Sequence, residues 1–227
     1  MGYILLTDIY EYMKKTYNIP DMTPHELAEL EWMADARLLI PRQEMCALME
    51  EAFRQGKEVY IVSDTYYSKK QIIKMLEKCN ITFYTDIFAS CEYRTGKTQQ
   101  LFECLKEKIH GRQCIHIGDD AVADIESAKK HGLAACQVYS GIELLEMTGY
   151  LGLWNRVESL ADRIKTGMFT ARLFNSPFQF EAKERKISVK NANDIGYLFF
   201  APIISDFVIW FKKQAINFLT KIGDIMI

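Results

Sequence analysis

Ser63, Lys97, Asp119, Asp120 and Asp124 are the residues whose types and spacing could do chemistry. The run Cys114-Ile115-His116-Ile117-Gly118-Asp119-Asp120-Ala121-Val122-Ala123-Asp124 is apolar at its start, ends in a glycine and a carboxylate pair, and adds a third carboxylate. It reads as a buried parallel strand with acidic groups at its C-terminal tip and Asp124 near the start of the next helix. Clustered carboxylates repel one another and lose hydration there. Either a hard cation such as Mg²⁺ compensates them, or they serve as an Asp-rich turn that caps a helix. Ser63 ends the run Val59-Tyr60-Ile61-Val62-Ser63, where a hydroxyl beside free backbone N–H groups can bind a phosphoryl oxygen. Alone, it reads rather as a strand-ending serine capping a turn. Lys97, in Thr95-Gly96-Lys97-Thr98, sits at a predicted helix start, where its ammonium could neutralise both a phosphate and the acidic cluster. Alone, it reads as a solvated lysine. It is no P-loop lysine, because the glycine that motif needs upstream is Cys91.

The elements that must hold these residues follow a βα rhythm. Residues 58–63, 86–90, 114–118 and 134–139 have strand character. Helices are predicted from the capping box at Ser68 to Cys79, from Lys97 to Ile109, from Asp124 to His131 before Gly132, and after Ser140. Strands alternating with helices predict one parallel sheet with helices on both faces. Upstream, Thr7 reads as a helix cap with Asp8 and Glu11 in the first turn. Thr23-Pro24-His25-Glu26 is a second capping box, and Pro41 opens a third helix that ends near Gly56. Residues 158–174 read as a helix, 176–189 as weakly stranded around Pro177, and 191–194 as a turn.

The chain has 227 residues, 49% hydrophobic and 26% charged, with a net charge of −2, which suits a soluble protein with ample core. Lys and Arg are dispersed, which argues against a nucleic-acid partner. The six cysteines show no metal-ligand spacing and read as reduced thiols of a cytoplasmic protein. His116, inside an apolar strand, reads as a hydrogen-bonded core residue. No signal peptide is recognisable. The apolar stretch 195–210 is interrupted by Pro202 and Asp206 and followed by Lys212-Lys213. It reads as an amphipathic helix seeking a partner surface and not as a membrane span.

In this order, strand-Ser, Gly-Lys and strand-Gly-Asp-Asp with a later Asp resemble the second, third and fourth motifs of the haloacid dehalogenase-like (HAD) hydrolase superfamily, over roughly residues 8–140. The resemblance is nearest to the group in which VSDTYYS, the GK step and HIGDD recur beside a helical cap. Members of that group often accompany surface-polysaccharide genes or glycosyltransferase domains. It implies an α/β, Rossmann-like core at residues 58–149, a helical cap segment at 1–57 and a mostly helical C-terminal extension at 150–227. It further implies that Ser63 and Lys97 hold the transferring phosphoryl group of a small phosphorylated substrate. Asp119 would bind Mg²⁺, Asp124 would support that site, and Asp120 would be a further ligand or stand behind it. A glycosyltransferase, as partner or fused domain, follows from the same likeness.

One motif of that superfamily does not appear, the nucleophilic Asp followed two residues later by an acid/base Asp. The nearest match makes Asp8 the nucleophile, but Tyr10 then replaces the second acid, and a phenol with pKa near ~10 is a poor substitute. Helical periodicity after Thr7 favours Asp8 as a first-turn residue instead. In the resembling fold the first strand lies between the strands ending at Ser63 and Gly118. Either Tyr3 to Thr7 fills that place, or the protein begins upstream of Met1. The expectation is therefore a fragment, or a degraded gene product, of a larger HAD-like protein, with impaired phosphate-ester hydrolysis. The alternative is a non-catalytic phosphate- and Mg²⁺-binding or interaction module.

Overall fold

Helix starts follow local chemistry. At α2 (Pro24–Leu38), Thr23 Oγ1 accepts the Glu26 N–H at 3.2 Å, Glu26 accepts the Thr23 N–H at 2.7 Å, and Pro24 takes the first helical position. Ser68 and Gln71 repeat the device at α4 (Lys69–Lys78). α1 (Leu6–Thr16) starts earlier than its sequence suggests: its cap is Leu5, not Thr7, and Asp8 Oδ2 accepts the Leu5 N–H at 3.0 Å. Leu6 and Thr7 are therefore helical and cannot form the strand expected over Tyr3–Thr7; Tyr3 lies outside the described residues. α3 (Gln43–Arg54) is followed by Gly56 at φ +73°, a left-handed position that glycine takes without strain.

The computed structural model describes residues 4–17, 21–150, 152, 158–189 and 191–225. They fall into two compact units, Met1–Ser140 with Ser176–Phe178, and Gly141–Asn175 with Gln179–Ile227. In the first, β1 (Tyr60–Ser63) pairs in parallel with β2 (Asp86–Ala89), and β3 (Ile115–Gly118) pairs in parallel with β4 (Ala134–Gln137). The single predicted sheet is thus two pairs, because no strand lies between β1 and β3 among the described residues. A short helix, α5 (Ser90–Tyr93), follows β2. Lys97–Gln100 form a turn, and α6 (Leu101–Lys108) begins after it, later than expected. Thr95 Oγ1 accepts the Gln100 N–H at 3.0 Å, and the Gly96 carbonyl accepts the Leu101 N–H at 3.1 Å, which closes that turn before the helix. After β3 comes a π-helical turn, Ala121–Glu126, which runs into α7 (Ser127–Lys130).

The core beneath these elements is Phe88, Leu101, Phe102, Leu105, Ile109, Ala128 and Leu133. Full burial of each large side chain there contributes roughly 1.5–3 kcal/mol. A second cluster joins Leu6 and Ala28 to Tyr67, and the Leu6 N–H donates to the Tyr66 carbonyl at 3.2 Å. These contacts seat α1 and α2 beside the loop that follows β1. The phenol of Tyr67, raised above its ordinary pKa by burial and by Asp35, donates to Asp35 at 2.6 Å.

The second unit holds α8 (Gly141–Met147), α9 (Leu160–Leu173), a 3₁₀ turn at Phe180–Glu184 in place of the expected strand character, α10 (Ala192–Ile195) in place of the expected turn, a π-helical turn at Gly196–Phe200, and α11 (Ala201–Ile225). Pro202 does not break the helical path. It can donate nothing to the Leu198 carbonyl, and the backbone widens into the π-helical turn just before it. Lys165 pairs with Asp206 at 2.6 Å and Arg172 with Asp194 at 2.7 Å. Ala192–Phe218 is long and apolar enough to cross a membrane by length and composition, with only 6% of its most apolar window buried.

Candidate active site at the strand tips

Lys97 is the hub of the site. Its backbone N–H donates to Asp64 Oδ1 at 3.0 Å, its carbonyl accepts from Ser127 Oγ, and its ammonium pairs with Asp124 Oδ1. Asp124 Oδ1 also lies 2.8 Å from His116 Nε2, and Oδ2 accepts the Asp120 N–H at 3.1 Å. The Asp124 side chain is 5% exposed and that of Lys97 12%. Burial alone would raise the Asp124 pKa. The hydrogen bonds from His116 and Lys97, the Lys97 charge and the Asp120 N–H outweigh burial and hold the carboxyl well below the usual carboxylate range.

The backbone brings these groups together. β3 ends at Gly118, and the π-helical turn folds Asp124 back over that glycine. Asp120 starts the turn by accepting the N–H groups of Val122 at 2.9 Å and Ala123 at 2.7 Å. His116 packs edge-on against Phe102, with ring centroids 4.9 Å apart, so it is the hydrogen-bonded core residue its apolar strand suggested. Ser90, fully buried, ties the tip of β1 to that of β2: its Oγ accepts the Thr65 N–H at 2.8 Å and donates to the Thr65 carbonyl at 3.1 Å.

Ser63 is the last residue of β1, next to Asp64, and its hydroxyl has no hydrogen-bond partner among the described residues. Asp119 is exposed; its carbonyl accepts from Gln137 Nε2 at 3.3 Å, while its carboxylate has no hydrogen bond or ion pair among the described residues. Asp8 occupies the first turn of α1, and among the described residues no hydrogen bond or ion pair joins it to Ser63, Lys97 or Asp119. Tyr10 donates to Glu31 at 2.5 Å, and that bond, with burial, pushes its pKa up to about 12, further from a useful acid. Sequence reasoning missed Asp64, Ser127 and the His116–Asp124 contact. The signals available were Asp64 directly after Ser63 and the three-residue step from Asp124 to Ser127 on one helical face.

Mg²⁺ suits the free Asp119 carboxylate, since this cation accepts one or two carboxylates and completes its shell with water or phosphate oxygens. Asp124 is engaged with Lys97 and His116, and Asp120 caps the turn. Among the described residues no three His, Cys, Asp or Glu side chains converge as a ligand set.

Residues 83–151 match the family model described as HAD-hydrolase-like. The match covers less than a third of the chain and supports a HAD-like hydrolase domain there. Lys97, Asp119, Asp120 and Asp124 fall inside it, while Ser63 precedes it. No curated protein matches the chain.

Proposed function

We propose that the strand tips form the phosphoryl-binding site of a Mg²⁺-dependent phosphohydrolase of HAD type, acting on a small phosphate monoester. The observation that supports this best is the placement of Lys97, which joins the tip of β1 through Asp64 to the tip of β3 through Asp124. Ser63 and Asp119 extend from those same two tips. In this reading the Ser63 hydroxyl donates to a phosphoryl oxygen, Lys97 supplies positive charge shared with Asp124, and Asp119 holds Mg²⁺. The metal contributes charge neutralisation on the transferring group. In an intact site a carboxylate oxygen attacks phosphorus, the ester oxygen leaves with a proton from an acid, and water then releases phosphate from the aspartyl-phosphate. Asp8, the nearest match to the nucleophile motif, caps α1 and has no hydrogen bond or ion pair to Ser63 or Lys97 among the described residues, and in this reading turnover is impaired for want of that nucleophile.

The test is hydrolysis of p-nitrophenyl phosphate with and without Mg²⁺, alongside calorimetric titration of Mg²⁺ into the chain and into Asp119→Ala. Mg²⁺ binding that disappears in Asp119→Ala supports the reading, and unchanged binding defeats it. A non-catalytic module is the second reading, favoured by the engagement of Asp8 in its own helix cap and by the exposed apolar side chains of α11. Phosphate binding without turnover would select it, with a polysaccharide glycosyltransferase as the partner to test by co-purification.

A further inference from the structure

α11 carries a row of large apolar side chains that stay open to solvent. Ile204, Phe207, Val208, Phe211 and Phe218 fall at three-, four- and seven-residue spacings, so they share one face over about four turns. Their exposure runs from 43% at Val208 to 64% at Phe218. The ring of Phe207 lies 5.9 Å from that of Trp210 and 6.2 Å from that of Phe211, both on the same helix. At about 100° per residue, Trp210 and Lys212 stand at the two borders of the row. The opposite face carries Asp206, Lys213 and Asn217, with Ile209 and Ile216 among them. Asp206 accepts from Lys165 of α9 through both carboxylate oxygens, at 2.6 and 2.8 Å, which turns the apolar row away from that contact. Lys212 and Lys213 have no hydrogen bond or ion pair among the described residues.

We propose that this face of α11 lies in the interface of a lipid bilayer with anionic headgroups, its axis parallel to the membrane plane. The composition of the face suits that medium. Phenyl rings and branched side chains enter the acyl boundary, the Trp210 indole sits at headgroup level, and the two unpaired ammonium groups meet negative headgroups. A protein seam would need both a matching apolar ridge and counter-charges for the lysines, and anionic lipid supplies the two together. The Lys165–Asp206 pair decides between lying in the plane and crossing. Ala192–Phe218 is long and apolar enough to cross, but Asp206 falls near its middle, so crossing would carry a carboxylate to the bilayer centre. With the helix in the plane, Asp206 and Lys165 stay paired on the aqueous side. The inference narrows the amphipathic helix expected from the sequence to one kind of partner, and it stands whether or not the strand tips bind phosphate.

The test is flotation of the whole chain with phosphatidylcholine vesicles containing one-third phosphatidylglycerol, against vesicles of phosphatidylcholine alone. The chain should float with the anionic vesicles, with about tenfold weaker affinity for the neutral ones and in Lys212→Gln/Lys213→Gln. Flotation should be lost in Phe207→Asp/Phe211→Asp, whose exposed positions leave the fold intact. Trp210 fluorescence should be quenched more by lipids brominated near the headgroup than by lipids brominated near the chain end, a difference that Trp210→Phe removes. Absence of flotation, equal affinity for both vesicles, or flotation unchanged in the phenylalanine variant would each overturn the proposal. Deeper quenching would overturn it in favour of a span. A dimer that ignores vesicles and dissociates in the phenylalanine variant would make a second copy the occupant.

Discussion

Asp124 lies directly over Gly118. A Cβ built on that glycine would come within 2.6 Å of the Asp124 Cβ and closer still to its carboxyl group. The glycine at the strand tip is thus required by the neighbour folded onto it, since its φ is not in the left-handed region. Gly118→Ala must displace Asp124 and with it the bonds to Lys97 and His116. We expect a loss of about 1–3 kcal/mol, the range for overpacking a filled site, read from urea unfolding.

Removing the other side of the pair tests the ionic term. Lys97→Met leaves Asp124 buried with His116 and the Asp120 N–H as its remaining partners. Breaking one partner from a buried pair costs about 3–5 kcal/mol, and combining Lys97→Met with Asp124→Asn should recover part of that loss. If the two losses simply add, the pair is not coupled in solution.

The pH dependence has a definite sign. The folded pKa of Asp124 lies below its unfolded value of ~3.9, so its stabilisation is fully present above about pH 5 and is lost as pH falls towards the folded pKa. Melting temperature should therefore drop between about pH 5 and pH 3, and Asp124→Asn should flatten that slope. Glu58, held at about 2 chiefly by the Arg112 hydrogen bond, titrates over the same range but is exposed and contributes little.

Asp8→Asn separates capping from catalysis. As a first-turn carboxylate accepting the Leu5 N–H, Asp8 should contribute about 0.3–1 kcal/mol to α1. Any residual phosphate-ester hydrolysis should survive the substitution unchanged. Turnover that vanishes in Asp8→Asn while the chain stays folded would restore Asp8 as the nucleophile.

Local signals were readable where one side chain decides the outcome. The capping boxes at Thr23 and Ser68 and the glycines at 56 and 132 act as their residues predict, and the apolar runs become β1 to β4, although β3, expected to be buried, leaves Ile115 58% and Ile117 43% exposed. The start of α6 was misjudged because Thr95 and Gly96 close a turn by hydrogen bonds that no periodicity reveals. α1 begins at Leu6 because Asp8 reaches back to Leu5, a cap made by the third helical residue that leaves Thr7 no capping role. At the site, the residue types were legible but their allegiances were not. Asp120 and Asp124 look alike in sequence, yet one caps a turn through its carboxylate and the other lies buried between a lysine and a histidine. That difference arises from the path of the π-helical turn, which depends on contacts far along the chain.

The division of the strands into two pairs also bears on how the chain folds. Tyr60 meets Asp86 and Ile115 meets Ala134, so the pairings join residues only 26 and 19 positions apart. Each pair closes over a single helical crossover and depends on no strand from the other. Closing such short loops carries a small entropic cost, and low contact order goes with fast folding. The strand pairings within each half are thus local, while the shared core of Phe88, Leu101, Phe102, Ala128 and Leu133, the Lys97 contacts at one end and the Glu58–Arg112 pair at the other form as the two halves meet.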